Sequence, residues 1–302
     1  MHEPPKIARM HPDLERLLAE QGGVVSSRQA LTFLTRRGLE ANVKSGVLQK
    51  VWHGIYGRGR LTTTLRLGGL DLLAGTQVAA CMHTAAAVYG FDTEDTLTLH
   101  VLNPDGRRLH SARGLVVHRR DGAPLTVVRG RPATAPPWTA IEVARSLRRP
   151  RALATLDAAL RSGTCSRDEL ARAIELQSGR RGIVNVRELL PLASPLAESP
   201  MESEARLVMI DGGLPRPVLQ YELIDLTGRL WRLDFAWPEF RVAAEYDGVD
   251  WHSGPEAFRR DRRRAAALQD ISWVVLPIIA EDVRYQPAQL VARIERRLQR
   301  AA

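Results

Sequence analysis

The chain has 302 residues, room for two or three domains at roughly 150 residues each. Hydrophobic residues make up 44%, which excludes a disordered chain, and 43 Lys and Arg against 34 Asp and Glu leave a net charge of +9. That excess has two readings: a polyanionic partner, nucleic acid first and an anionic membrane second, or a protein that uses arginine as its ordinary surface charge. Two distant cysteines, Cys81 and Cys165, exclude a disulfide framework and a Cys-rich zinc site and fit a reducing compartment. Neither residues 1–30 nor the apolar stretch Val78–Phe91 reads as a signal peptide or a membrane span, so a cytoplasmic protein with no membrane partner is expected.

Residues 1–58 predict three helices and a hairpin. Leu14, Leu17 and Leu18 share one face of a helix over Pro12–Gln21, which Gly22-Gly23 ends. Ser26 and Gln29 form a capping box for a second helix. Thr35 caps a third, Arg36 to about Ser45, with Leu39 and Val43 turned inward and Arg36, Arg37, Glu40 and Lys44 outward. Val47–Tyr56 then reads as a hairpin around His53-Gly54. This is the order of a winged helix-turn-helix, in which the third helix enters the major groove and the wing touches phosphates. The segment carries a net +4, and Arg36, Arg37, Lys44 and Lys50 are its candidate DNA-binding residues. A small helical domain for protein contacts is the alternative.

Val25-Ser26-Ser27-Arg28-Gln29-Ala30, Gly46 and Val51-Trp52-His53-Gly54-Ile55-Tyr56 resemble the N-terminal winged domain of abortive-infection type IV antitoxins. The resemblance implies binding to double-stranded promoter DNA and transcriptional autoregulation. The protein partners expected are a toxin or a second copy of the chain.

Residues 60–190 read as a middle α/β connecting domain. Strands are expected at Leu97–Val101 and Gly114–His118, a break at Pro132–Pro137, and helices at Ile141–Leu147, Ala152–Leu160 and after the capping box Ser166–Glu169. His83, His100, His110 and His118 lack metal-ligand spacing and read as packing or surface residues. Residues 191–200, with three prolines, read as a linker.

From residue 201 to 302 the pattern is α-β-β-β-α-β-α. Helices are expected at Met201–Ile210, Pro255–Asp270 and Pro287–Gln299, and strands at Val218–Ile224, Leu230–Phe235, Arg241–Glu245 and Trp273–Leu276. Asp234 and Glu245 lie in apolar strands, and Glu245 and Asp247, two apart, share a face. Such carboxylates need partners: a divalent cation able to activate water at a phosphodiester, or neighbouring arginines. Arg259, Arg260, Arg262, Arg263 and Arg264 fill five of six positions and cannot share one helical face.

Ser199-Pro200-Met201-Glu202-Ser203, Gly213-Leu214-Pro215-Arg216-Pro217, Arg232–Pro238, Glu245-Tyr246-Asp247-Gly248, His252, Asp261–Arg264 and Leu268 resemble the very-short-patch-repair-type endonuclease domain of actinobacterial proteins. That domain is restriction-endonuclease-like and carries a PD-(D/E)xK signature. The resemblance implies a Mg²⁺- or Mn²⁺-dependent DNA endonuclease. It assigns Asp234, Glu245 and Glu202 as catalytic acids, His252 as a proton-transfer group, and Arg262 and Arg263 as phosphate contacts. Asp247 stands where a lysine is usual. Either it is a third metal ligand beside Asp234 and Glu245, or the site is weak. The whole chain is thus expected to be an α+β multidomain, DNA-acting protein, with an antitoxin-like regulator bearing an inactive nuclease fold as the alternative.

Overall fold

The structure, a computed structural model, describes residues 10–91, 93–94, 97–106, 109–119, 122–248 and 255–301. It is a mixed α/β architecture that divides into two compact units, residues 1–85 with 96–135 and residues 86–95 with 136–302.

The first unit opens with α1 (Pro12–Glu20), β1 (Val24–Ser26), α2 (Ser27–Ala30), α3 (Arg36–Lys44), β2 (Gln49–Trp52) and β3 (Ile55–Gly57). The three strands form an antiparallel sheet in the order β1-β3-β2. Neighbours on β1 point to opposite faces. Val25 packs with Leu14, Leu18, Ala30, Leu39 and Leu48 under the helices. Val24 joins a second core with Trp52, Ile55, Leu65, Leu67 and Leu70. The latter three belong to α4 (Thr63–Ala74), which the sequence placed beyond the boundary at 58. Trp52 Nε1–H donates to the Arg66 carbonyl at 2.8 Å, and a Cβ on Gly69 would come within 3.0 Å of the Trp52 ring. The tryptophan thus ties α4 to the sheet at a closely packed point, where a side chain on residue 69 would press on the ring.

α5 (Met82–Tyr89) carries the division between the units. β4 (Leu99–Leu102) and β5 (Leu115–His118) pair in parallel. β6 (Leu125–Val128) and β7 (Arg131–Thr134) form an unexpected hairpin, and the break expected at Pro132–Pro137 begins inside β7. Its turn, Arg129-Gly130, has positive φ at both residues, the geometry of a tight hairpin.

In the second unit α6 (Pro136–Ala144), α7 (Arg149–Arg161), α8 (Arg167–Leu176) and α9 (Ile183–Leu189) precede α10 (Pro200–Asp211). Residues 191–200 do not hang as a free tether. Ala193 and Ala197 are buried, Ser194 N–H donates to Asp157 at 2.7 Å, and Arg161 and Arg206 donate to the Ala197 and Leu192 carbonyls. Then follow β8 (Val218–Ile224), β9 (Leu230–Trp237), β10 (Val242–Tyr246), α11 (Pro255–Asp270), β11 (Val274–Ile278), α12 (Ala280–Arg284) and α13 (Pro287–Ala301). This is the expected order with α12 added. The sheet runs β11-β10-β9-β8, with β10 and β11 parallel and the rest antiparallel. One face packs Phe235, Trp237, Val242 and Ala244 against Ala205, Met209, Leu290 and Ile294 of α10 and α13. The other packs Trp231, Leu233 and Ala243 against Leu268 of α11.

Residues two apart in a strand ordinarily share a face. Yet Leu233 belongs to the α11 face and Phe235 to the α10 face, as do Tyr221 and Leu219 across the ladder. The switch falls at Asp234 and at Gln220, whose φ of +50° is rare for a residue with a side chain. The sheet is irregular where the candidate acids gather.

Candidate functional site

The first candidate lies on α2, α3 and the β2–β3 hairpin. Ser26 and Gln29 form the expected capping box, with Gln29 N–H donating to Ser26 Oγ at 3.2 Å and Ser26 N–H to Gln29 Oε1 at 2.9 Å. Thr35 Oγ1 accepts the Gly38 N–H at 3.1 Å and starts α3. Gly54, at φ +72°, turns the hairpin, and its carbonyl accepts from Ser27 N–H at 2.8 Å and Ser27 Oγ at 3.1 Å. The hairpin is thereby fixed against the start of α2. Leu39 is buried, and Arg36, Arg37, Glu40, Lys44 and Lys50 are exposed. Among the described residues none of those four cations forms an ion pair. Arg36, Lys44 and Lys50 border a cavity of about 510 Å³ whose floor includes Leu39 and Tyr56. The surface can meet a polyanion with side chains not already spent on partners within the fold.

The second candidate is the acid cluster of the other unit. Glu202, on the first turn of α10, accepts the Glu198 N–H at 2.8 Å and the Gln220 Nε2–H at 3.2 Å. Gln220 Nε2–H also reaches Asp234 Oδ1 at 3.4 Å, and Asp234 Oδ2 accepts the Tyr246 N–H at 3.0 Å. Glu245, next along β10, holds the Arg264 guanidinium of α11 with both carboxylate oxygens. Burial pushes all three carboxyls, Glu202, Asp234 and Glu245, above their usual range. At Glu245 the arginine opposes that rise.

The expected residues are therefore only partly brought together. Glu202, Asp234 and Glu245 converge through Gln220 and neighbouring backbone. Asp247 is exposed and shares a cleft of about 310 Å³ with Glu245, Asp261 and Arg264. Arg262 and Arg263 are exposed on α11. His252 lies outside the described residues. Sequence reasoning missed Gln220 and the role of Arg264. The first has no motif to betray it, and the second is hidden among five neighbouring arginines. It also missed a histidine cluster in the first unit. His100 Nδ1 and His118 Nε2 lie 2.9 Å apart, and the His83 ring sits 5.5 Å from that of His100. Adjacent strands and α5 place these side chains together without any sequence spacing.

A divalent cation, expected from the resemblance, can be tested against this arrangement. Both Glu245 oxygens already face a guanidinium, and both Asp234 oxygens accept hydrogen bonds. Among the described residues no three His, Cys, Asp or Glu side chains are disposed to hold a metal ion. Gln220 Oε1, buried without a protein donor, is one remaining oxygen that faces no cation. As arranged, the residues do not fit the ion.

The elements define a mixed α/β protein. Residues 78–192 match the family model described as the AbiEi antitoxin C-terminal domain. The antitoxin match thus falls on the stretch read as a connecting domain. Over 268 residues the chain is 55% identical to uncharacterized proteins of two strains of Mycobacterium tuberculosis, across 89% of this chain and 98% of each relative. The chain belongs to the family of these mycobacterial proteins. No helix among the described residues is long and apolar enough to cross a membrane.

Proposed function

We propose that this protein is an antitoxin-like transcriptional regulator of the cytoplasm that binds double-stranded DNA through the first unit. The observation that carries this reading is the exposed face of α3 and the β2–β3 hairpin. The order of helices followed by a hairpin supports a winged helix-turn-helix, and Arg36, Arg37, Lys44 and Lys50 face solvent. The phosphate backbone supplies most of the affinity in such a complex, and unpaired surface cations are what it needs. The antitoxin-type match at residues 78–192 supports the same reading and implies a toxin or a second copy as protein partner. The test is a titration of the full chain against duplex DNA carrying its own promoter. Binding that weakens steeply with salt supports the reading, and no binding at low salt sinks it.

A second reading, DNA cleavage, has one observation in its favour: Gln220 bridges Glu202 and Asp234 at a break in the sheet, with Glu245 close enough to feel the Asp234 charge. It requires Arg264 to release Glu245. Incubation with plasmid and linear DNA in Mg²⁺, Mn²⁺ or chelator tests it, and metal-dependent nicking abolished by Glu245→Gln would establish it over the first.

A further inference from the structure

Arg264 stands out among the five clustered arginines of α11. Its neighbours Arg262 and Arg263 are exposed, whereas the Arg264 side chain is 29% exposed and its partner Glu245 16%. Four contacts hold the guanidinium. Two hydrogen bonds go to the two oxygens of Glu245 and one to the Arg232 carbonyl at 2.9 Å. The Trp231 ring lies 5.8 Å from its central carbon. The planar fork of arginine matches a carboxylate in two-point fashion, and such pairs are the strong, directional ones. The backbone carbonyl and the ring fix the same side chain from other directions.

The arginine lies where the charge balance needs it. Three carboxylates meet near the Gln220–Asp234 irregularity, and a low-polarity site cannot hold them together in ionised form without a counter-charge. A lysine two positions after Glu245 could provide it, but Asp247 occupies that position and adds another acid. α11 supplies the cation from another element, nineteen positions on from Glu245.

We infer that Arg264 is the resident cation of the acid cluster: its guanidinium occupies the coordinating oxygens of Glu245 and keeps this cluster free of divalent metal. The side chain is a fixed internal counter-ion, and the sheet it closes serves as a structural or binding scaffold. This inference goes beyond the DNA-binding reading and stands independently of it, since it concerns the other unit.

The experiment compares the full-length protein with Arg264→Met, reading thermal midpoint and bound Mn²⁺ (from the free-ion magnetic resonance signal) with and without millimolar Mn²⁺. The native protein is expected to bind no Mn²⁺ at this site and to keep its midpoint. Arg264→Met is expected to melt at least about 5 °C lower and to regain about 4 °C or more with Mn²⁺, because the ion replaces the lost charge. That gain is expected to vanish in Asp234→Asn/Arg264→Met. Where Arg264→Met alone fails to fold, Glu245→Gln/Arg264→Met removes the stranded carboxylate along with the cation and is expected to fold near the native midpoint. Mn²⁺ binding by the native protein that Asp234→Asn abolishes overturns the inference. So does a folded Arg264→Met that is indifferent to Mn²⁺, or a double variant that fails to fold, which would make Arg264 a packing residue.

Discussion

The α3 face of the first unit and the interior of the second use their cations in opposite ways. On α3 and the hairpin of the first, Arg36, Arg37, Lys44 and Lys50 reach into solvent. In the second, cations turn inward: Arg206 onto Asp157 at 2.6 Å, Arg151 and Arg284 onto Glu204 at 3.1 and 3.0 Å, and Arg264 onto Glu245. Glu204 shows how strong these pairings are. Burial pushes its carboxyl up, but the hydrogen bonds from Arg284 and Arg151 outweigh that and hold it below its usual range. The net charge of +9 is therefore no measure of the charge offered to a partner. A cation paired inside the fold fixes elements to one another, and only one facing solvent can neutralise a phosphate.

The sharpest way to break this contrast is at the Asp157–Arg206 pair, whose side chains are 0% and 5% exposed and which joins α7 to α10. Asp157→Ala strands a buried guanidinium and leaves Ser194 N–H without its acceptor. Chemical denaturation is expected to show a loss of about 3–5 kcal/mol. A loss below 1 kcal/mol would mean that the inward arginines do not organise the unit.

On the solvent side, Arg37→Ala and Lys50→Ala are expected to leave stability almost unchanged while weakening DNA binding. Each lost phosphate contact should reduce the slope of log affinity against log salt by about 1. An unchanged slope in the double variant would remove these residues from the interface. Ser26→Ala removes the capping box that sets α2 beside the hairpin and is expected to cost about 1 kcal/mol in the first unit. A loss of DNA affinity well beyond that in the folded variant would show that the cap also sets the binding geometry.

The smallest effect concerns a carboxylate held by neutral donors. Asp225, in the β8–β9 turn, accepts from Thr227 Oγ1, Trp231 Nε1 and two backbone N–H groups, which pull its pKa down to about 2, the Thr227 hydroxyl most of all. A depressed carboxyl stabilises the fold above its unfolded value of about 4, and the contribution fades as pH falls toward 2. Asp225→Ala is therefore expected to lower the melting midpoint at pH 7, with the deficit narrowing on acidification to the lowest pH at which the protein folds. A deficit that does not change with pH would assign the turn's stability to packing.

Local signals were legible in the sequence. The capping boxes at Ser26 and Ser166, the cap at Thr35, the glycine turn at Gly54 and the strand order of residues 218–278 all depend on neighbours a few positions apart, and they appear where the residues predict them. The β6–β7 hairpin was not legible because its turn places Arg129 at positive φ, a position sequence reasoning reserves for glycine or asparagine.

By itself the sequence determined which residues could carry charge, where helices begin, and that Asp234 and Glu245 sit in apolar strands. Only the tertiary structure decided what those charges meet. Helical and strand periods fix the direction of a side chain within its own element, but not which of Arg262, Arg263 and Arg264 turns toward Glu245, or that Gln220 bridges Glu202 and Asp234. Those pairings depend on how α10, α11 and a sheet broken at Gln220 pack together. An ion pair forms between whichever groups that packing brings within a few ångströms.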